Sequence, residues 1–541
     1  MTSAATGATS GPASPGAPAA AGLARANVVV AIGTLLSRIT GFVRFALLAS
    51  LVQGALADAY NVANNVPNML YELVLGGVLT ATLIPMFTEQ ADSGDHEATS
   101  AVVSNALVVT TLLGIVATLA APLVVRLLTV LSPPSNVDVA QLRSVATFFG
   151  FWFIPQIAFY GVTFLASALL NARRRFFAAA WAPVLNNVIV ITALVVMARR
   201  VPKPRSLDVA QHTSSLRLWL AVPTTVGVVA MAISLVPALL RAGVRLRFRL
   251  DRRHPAVRRV LSLSRWTAGY VVANQVALIV MTILTKPGTG GATAYLLAFL
   301  ILQLPIGLLA MSVATTFTPE LARARQRRDR AAFVSTFSTG LRALALLLMP
   351  ASLGLAALAR PVVSVILEHG YYTSAPAAAT AGALAAFSVG MFFLAGYLFV
   401  LRGFYTHDDT RSAFVINCIE NVINIALGLA LVGRYGVPGL AWSFSIAYFV
   451  AFALAARTLA WKVAGAELRP ILGALGRLAL SAAICGEAAW LASRAVGADS
   501  GGGAAARLVV GVVAGAAAYV ASLWWLGAPE LGEARSLLLR R

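Results

Sequence analysis

The sequence predicts an all-α protein that crosses a membrane about fourteen times. Of its 541 residues, 59% are hydrophobic and only 11% are charged, and the mean hydropathy is +0.81. The apolar stretches are as long as membrane-spanning helices, about 20 residues or more, and they lack the period-two alternation of a membrane β-barrel. The composition therefore excludes a soluble domain.

The chain begins with a stretch that cannot form a core. Residues 1–22 are nearly all Ala, Gly, Ser, Thr and Pro, which predicts a disordered cytoplasmic tail. Apolar segments follow, separated by proline, glycine or charge. They cover residues 26–52, 58–88, 99–131, 142–170, 177–198, 217–241, 257–285, 292–319, 333–359, 377–404, 411–433, 436–461, 469–494 and 504–527.

The net charge of +22 comes mainly from arginines in short loops between these segments. Such loops favour the cytoplasmic side, which predicts that both termini are cytoplasmic and that the basic residues contact anionic lipid, not nucleic acid. Two loops do not follow the rule. Loop 89–98 would be cytoplasmic without any Lys or Arg, and the basic loop 199–217 would lie outside.

Two sequence matches predict an internal repeat. LTATLIP ending at Pro85 matches VATTFTP ending at Pro319, and LNNVIVI around Asn187 matches IENVINI around Asn421, both at an offset of 234 residues. Six spans per unit is an even number, so the two units have the same orientation about a pseudo-two-fold axis along the membrane normal, with a cavity between them. The predicted units are an N-lobe (23–245), a C-lobe (246–465) and two further spans with a short cytoplasmic tail (466–541).

The first span carries two arginines that make it a candidate binding site. Arg38 and Arg44 lie about 120° apart around a helix and ~9 Å apart along its axis. Their guanidinium groups suit an elongated anion such as a pyrophosphate, because each presents a planar fork of donors. The alternative is that Arg44 extends to the membrane interface while Arg38 pairs with Asp58 or Glu72.

Carboxylates within spans suggest two further roles. Glu72 is either an arginine partner or a group that changes protonation during transport, because an unpaired charge at that depth is costly. In the eleventh span, Asn417, Glu420, Asn421 and Asn424 recur at helical spacing. Their oxygens predict a site for a coupling ion, Na⁺ or H⁺, unless they only join helices.

The sequence offers no sign of an enzyme or a bound cofactor. Cys418 and Cys485 both lie in apolar segments, which argues against a disulfide framework or a firm metal site. Gly288, Gly290 and Gly291 lack the lysine and the spacing of a phosphate-binding loop, so they predict a turn between spans seven and eight.

Four motifs together resemble the MurJ/MviN family of lipid II flippases, within the multidrug/oligosaccharidyl-lipid/polysaccharide exporter superfamily. They are SRITGFVR (37–44), ADAYNVANNVPNMLYELVLGGVLTATLIP (57–85), QLPIG (303–307) and TPEL (318–321). The resemblance implies two six-helix lobes around a cationic cavity, with the last two spans forming a groove for a lipid tail. It implies that undecaprenyl-pyrophosphate-linked MurNAc-pentapeptide-GlcNAc, lipid II, moves from the inner to the outer leaflet of the bacterial inner membrane by alternating access.

The match to the family is incomplete at charged positions. The acidic residue that often follows the second arginine is Phe45, the family's arginine pair after Pro-Asn-x-Leu is replaced by Tyr71 and Glu72, and the span-eight arginine and glutamate fall at Leu300 and Gln303. Either the cargo differs, or a basic residue elsewhere compensates, with Arg265, Arg342 and Arg402 as candidates. The resemblance and the residues together predict substrate binding by Ser37, Arg38, Arg44, Asp58, Asn68 and Glu72.

The expected partners are lipid II, membrane lipids and cell-wall synthesis proteins. The alternatives are a cation-coupled drug or metabolite antiporter of the same superfamily, or a flippase for another polyprenyl-linked glycan. The basic pair in the first span speaks against an antiporter of cationic drugs, which would favour a cavity rich in carboxylates.

Overall fold

A computed structural model describes most of the chain, and every regular element within the described ranges is a helix. Those ranges are residues 17–75, 78–93, 95–133, 137–244, 246–251, 253–258, 265–463 and 468–529. The first helix begins at Ala17, so residues 17–22 are helical and not part of a disordered tail. The rest of the predicted tail lies outside the described residues.

The N-lobe contains several helices in which a proline or a short break divides one predicted span. Pro155, for example, separates α6 from α7, where a continuous helix would leave a backbone carbonyl without its donor. The helices are α1 (Ala17–Leu51), α2 (Gly54–Leu75), α3 (Val78–Ser93), α4 (His96–Leu119), α5 (Ala121–Leu128), α6 (Val139–Phe153), α7 (Gln156–Ala172), α8 (Phe176–Arg200), α9 (Leu207–His212), α10 (Ser214–Ser234) and α11 (Val236–Arg241).

The C-lobe and the last two spans follow. The helices are α12 (Arg265–Leu284), α13 (Gly291–Pro305), a π-helical turn (Ile306–Ala310), α14 (Met311–Gln326), α15 (Arg330–Ala357), α16 (Ala359–Leu367), α17 (Ser374–Thr406), α18 (Thr410–Lys462), α19 (Leu468–Arg494) and α20 (Gly501–Trp525). Helix α18 is interrupted at Gly436, whose φ of 59° and ψ of −139° suit a residue without a Cβ. This interruption falls where the sequence predicts the break between spans eleven and twelve.

The helices account for the predicted membrane segments. Within the described residues, eleven helices or continuous helix pairs are long and apolar enough to cross a membrane. The remaining predicted segments lie on α2 with α3, on α12, and on the second half of α18. The all-helical membrane fold is therefore confirmed.

The internal repeat is visible as the same contact in both lobes. Asn187 of α8 donates from Nδ2 to Ser37 O (3.1 Å) and Thr40 Oγ1 (3.0 Å) on α1, the first helix of the N-lobe. Asn421 of α18 donates from Nδ2 to Asn274 Oδ1 (2.9 Å) on α12, the first helix of the C-lobe. Matching residues thus join matching helices, as two lobes of the same orientation require.

The acidic loop that departs from the charge rule has a local partner. Glu97 forms a salt bridge with Arg249 in the segment that links the two lobes. The backbone of that linker is held along α4, because Ser104 Oγ accepts from Arg249 N (3.0 Å) and Asn105 Nδ2 donates to Asp251 O (3.1 Å). The loop and the basic linker therefore lie on the same side of the membrane.

Candidate functional site

Arg38 lies where α1 crosses the C-lobe. Its half-buried guanidinium donates from Nη1 to the carbonyl oxygen of Gln303 on α13 at 3.4 Å. A Cβ placed on Gly307, in the π-helical turn, would come within 2.8 Å of the Arg38 Cζ, so a larger residue there would displace the guanidinium. No carboxylate within the described residues pairs with Arg38, which removes the alternative pairing with Asp58 or Glu72.

Arg44 is buried, with 7% of its surface exposed. Its Cζ lies 4.6 Å from the centroid of the Phe45 ring, and Tyr160 of α7 is close enough to interact with its charge. The Nε atom is buried without a hydrogen-bond partner, and no described carboxylate pairs with the guanidinium. A buried cation without a counterion suits a site that an anion enters, since an unpaired charge in the membrane is costly.

The other predicted residues of the first span make internal contacts. Ser37 accepts from Asn187 through its backbone oxygen, so it helps to hold α1 against α8. Arg38 contacts α13, whereas Arg44 is buried near Tyr160 of α7. Neither arginine is among the residues that line the central cavity described below.

Asp58 joins the two lobes and does not face the cavity between them. Its side chain is fully buried. Oδ2 accepts from the backbone amides of Gly288 and Gly290, both at 2.8 Å, and Oδ1 accepts from Thr293 N (2.8 Å) and Thr293 Oγ1 (2.7 Å). We call this set the Asp58 clasp. The glycines form the predicted turn, and their positive φ angles of 101° and 83° aim their amides at the carboxylate.

A central cavity of about 210 Å³ lies between α2 of the N-lobe and α12 and α13 of the C-lobe. Its polar lining includes two predicted residues, Asn68 and Glu72, both of which are exposed to it. Asn68 donates to Asn64 O at 3.2 Å, and Glu72 Oε2 accepts from Gln275 Nε2 at 3.1 Å. Its other lining residues with polar side-chain atoms are Asn61, Asn65, Thr282, Thr285, Tyr295 and Gln303.

The four predicted cation-site residues lie together inside the C-lobe. Asn417 and Asn421 both donate to Asn274 Oδ1 at 2.9 Å, and Ser443 donates to Asn424 Oδ1 at 2.9 Å. These bonds join helices, as the packing alternative predicts. In contrast, Asn417 Oδ1 and Glu420 Oε2 are buried without a hydrogen-bond partner. These two unmet acceptor oxygens are not explained by helix packing, and both are atom types that bind a cation or a proton.

The residues suggested as replacements for the missing family arginines do not line the described cavity. Arg342 and Arg402 are half-buried in the C-lobe and are absent from its walls. The side chain of Arg265 lies outside the described part of the structure. Leu300 and Gln303 do line the cavity, at the positions where the family resemblance implies charge.

Sequence reasoning missed three polar residues that complete these sites. Asn274 holds the C-lobe cluster, Gln275 holds Glu72, and Thr293 holds both Asp58 and Asn61. The available signal for Asn274 and Gln275 was that two adjacent amides lie in the middle of the seventh span. Thr293 gave none, because threonine is common at the start of a helix.

A second cavity of about 540 Å³ is almost entirely apolar and lies between the C-lobe and the last two spans. It is lined by Leu304 and Pro305 of α13, by residues of α15 and α16, and by one face each of α19 and α20. Gly511 allows α20 to pack closely here, since a Cβ on it would lie 2.5 Å from Leu358. An apolar cleft of this size suits a hydrocarbon chain.

The family profile described as lipid II flippase MurJ matches residues 48–501. A probable lipid II flippase MurJ of Rhizobium meliloti is 28% identical over 464 residues, which cover 85% of this chain and 84% of the relative. One of Vibrio cholerae is 27% identical over 523 residues, which cover 93% and 96%.

Two solved structures share the fold. A lipid II flippase MurJ in an inward closed conformation has a TM-score of 0.73 at 20% identity and covers 92% of this chain and 98% of its own. An inward-facing multidrug transporter of the MATE family has a TM-score of 0.65 at 12% identity, with 81% and 98% covered. Because the profile spans most of the sequence, this chain belongs to the lipid II flippase MurJ family.

Proposed function

We propose that this protein moves lipid II from the inner to the outer leaflet of a bacterial inner membrane. The observation that carries the proposal is the pair Arg38 and Arg44, two interior guanidinium groups with no described carboxylate partner. A diphosphate supplies the missing negative charge and matches the planar donor fork of arginine. Membership of the family favours this function over a drug antiporter.

The lipid tail of the cargo is proposed to lie in the apolar cavity beside α19 and α20. That cavity reaches α13 at Leu304 and Pro305, one residue from Gln303, which contacts Arg38. A ligand with a diphosphate near Arg38 and a hydrocarbon chain beside α19 and α20 would satisfy both regions. The last two spans, which lie outside the repeat, would then serve to bind the lipid tail.

Alternating access is proposed to work by opening and closing the contact between lobes at the Asp58 clasp. Asp58 of the N-lobe accepts all four hydrogen bonds of the clasp from the C-lobe, two from the turn between α12 and α13 and two from Thr293 in the first turn of α13. In the proposed orientation, with both termini cytoplasmic, the clasp lies at the outer face. Breaking it would open the central cavity outward.

Coupling to an ion is proposed for the C-lobe cluster. Asn417 Oδ1 and Glu420 Oε2 are its unmet acceptors, and Na⁺ or H⁺ is the candidate ion. Cell-wall synthesis proteins and membrane lipids are the expected partners in the membrane.

The test is a leaflet-accessibility assay for lipid II in bacteria depleted of their own flippase and supplied with this chain. We expect externally accessible lipid II to return with the parent chain. A protein that reaches the membrane but leaves lipid II inside would refute the proposal.

A further inference from the structure

A further cavity, of about 420 Å³, lies at the end of the N-lobe that is cytoplasmic in the proposed orientation. Arg174 and Arg175, in the turn between α7 and α8, line it together with Arg241 at the end of α11. No carboxylate within the described residues pairs with any of these three guanidinium groups. The cavity therefore presents three positive charges without a counterion.

The start of α8 adds partial positive charge to the same cavity. Phe176, Phe177 and Ala178 are the first three residues of this 25-residue helix, and all three line the cavity. Their backbone amides have no acceptor within the helix, and no side chain caps this end. An uncapped helix start favours an anion, so the backbone and the arginines favour the same kind of ligand.

The backbone conformation of Arg174 would cost less free energy with glycine at this position. Its φ is 57°, and Arg175 N donates to Leu170 O (2.8 Å) across the turn that ends α7. Helices commonly end with glycine at such a position, because a Cβ is unfavourable there. The turn itself therefore gives no reason for an arginine, whereas a ligand that binds the guanidinium does.

The depth of the cavity in the membrane indicates which anion it holds. Val29 begins the apolar span of α1, Phe176 begins that of α8, and Arg241 ends the span formed by α10 and α11. All three line the cavity, so it lies where the apolar core of the membrane meets the headgroups. Five of its eight lining residues are apolar, and Phe177 is 63% exposed beside the arginines. A lipid offers a phosphate to the arginines and hydrocarbon to the apolar wall, whereas a free phosphate offers only the first.

We propose that this cavity binds the phosphate of an anionic glycerophospholipid of the inner leaflet, such as phosphatidylglycerol. Its phosphate oxygens accept hydrogen bonds from Arg174, Arg175 and Arg241. The lipid belongs to the bilayer and not to the transported cargo, since neither Arg38 nor Arg44 lines this cavity. The site depends on the proposed orientation for its leaflet but not on the proposed transport of lipid II.

The experiment measures how the purified full-length protein in detergent binds dioleoylphosphatidylglycerol and dioleoylphosphatidylcholine, with bound lipids counted by native mass spectrometry. We expect the first phosphatidylglycerol to bind about tenfold more tightly than the first phosphatidylcholine, because the choline ammonium cancels the charge of the phosphate. In Arg174→Gly the affinity for phosphatidylglycerol should fall about tenfold, the effect of one hydrogen bond to a charged group. The thermal unfolding midpoint without added lipid should not fall, because glycine suits the turn.

The matched control is Arg328→Gly. Arg328 has a φ of 54° in the turn between α14 and α15, which lies on the same side of the membrane in the proposed orientation. It does not line the cavity. This variant makes the same change of residue in the same backbone conformation, and it should bind phosphatidylglycerol as the parent protein does.

Several results would overturn the inference while leaving the flippase proposal intact. Equal affinity of the parent protein for the two lipids would do so without any variant. An equal loss in Arg174→Gly and Arg328→Gly would indicate a general effect of net charge. Two competitors identify the source of the phosphate, and neither should displace the phosphatidylglycerol that depends on Arg174. Displacement by glycerol 3-phosphate would indicate a site for soluble anions, and displacement by lipid II would assign the cavity to the cargo.

Discussion

Replacing Asp58 with asparagine should weaken the outer contact between the lobes. Asparagine can keep the two bonds that Oδ1 accepts from Thr293, but its amide nitrogen would face the donors of Gly288 and Gly290. Two hydrogen bonds to a charged group are then lost, which amounts to about 3–6 kcal/mol. Because the neutral side chain is easier to bury than a carboxylate, we take the lower value, about 3 kcal/mol.

That free energy changes the balance between states in a measurable way. About 3 kcal/mol corresponds to roughly a hundredfold change in the equilibrium between a closed and an open outer face. Spin labels placed at Asp208 and Arg434, exposed residues of the N-lobe and C-lobe, would report the separation of the lobes. Cys418 and Cys485 are free and must first be replaced. In Asp58→Asn, pulsed electron–electron double resonance should show a new population in which the two labels are farther apart.

The matched control is Asp138→Asn, which also removes a carboxylate that accepts from backbone amides. Asp138 accepts from Ala140 N (2.8 Å) and Gln141 N (3.2 Å), entirely within the N-lobe. It should leave the distance distribution as in the parent protein. An Asp58→Asn distribution that matches the parent would refute the role of the clasp in closing the outer face.

Three further outcomes are expected. Arg44→Ala should abolish growth of a flippase-depleted bacterium while the protein stays in the membrane. The control Arg434→Ala, which changes an exposed arginine of α18, should support growth. Full growth with Arg44→Ala would contradict the anion site. Glu420→Gln should weaken the dependence of transport on a sodium or proton gradient, and an unchanged dependence would reduce the cluster to helix packing. Ala516→Leu, at a residue of α20 that lines the apolar cavity, should lower the affinity for a long-chain cargo about tenfold or more by filling that cavity, with a short-chain analogue unaffected. Equal losses for both would contradict a tail site.

The course of the chain through the membrane could be predicted from the sequence because hydrophobic length is a local property. Within the described residues, each predicted segment lies on one or more helices, and the repeat at 234 residues matches helices that make the same contacts. The divisions within spans were less predictable. Pro155 ends one helix, but Pro183 and Pro223 lie inside continuous helices, since a neighbouring group can satisfy the freed carbonyl.

The candidate site was only partly predictable, because the partner of a buried polar group depends on which helices meet. The sequence offers Asp58 as a charge near two arginines, yet the structure pairs it with backbone amides 230 or more residues away. Because every residue except proline has a backbone N–H, the sequence does not show which amides bind a carboxylate. The glycines of this turn were visible, but nothing in their spacing pointed to a carboxylate from the other lobe.

The two lobes share the arrangement of their helices but differ in the polar residues at matching positions, and this difference affects how transport could be coupled to an ion. Asn187 in the N-lobe contacts a backbone carbonyl and a hydroxyl, whereas Asn421 in the C-lobe contacts another amide beside the buried Glu420. A repeat therefore predicts where a polar contact occurs, not whether it includes a charge. At this repeated position the C-lobe has the buried carboxylate Glu420 where the N-lobe has Asn186, so an ion bound there would act on α18 and its neighbour α12. Its effect on the cargo must pass through α12, which also carries Gln275, the partner of Glu72 in the central cavity.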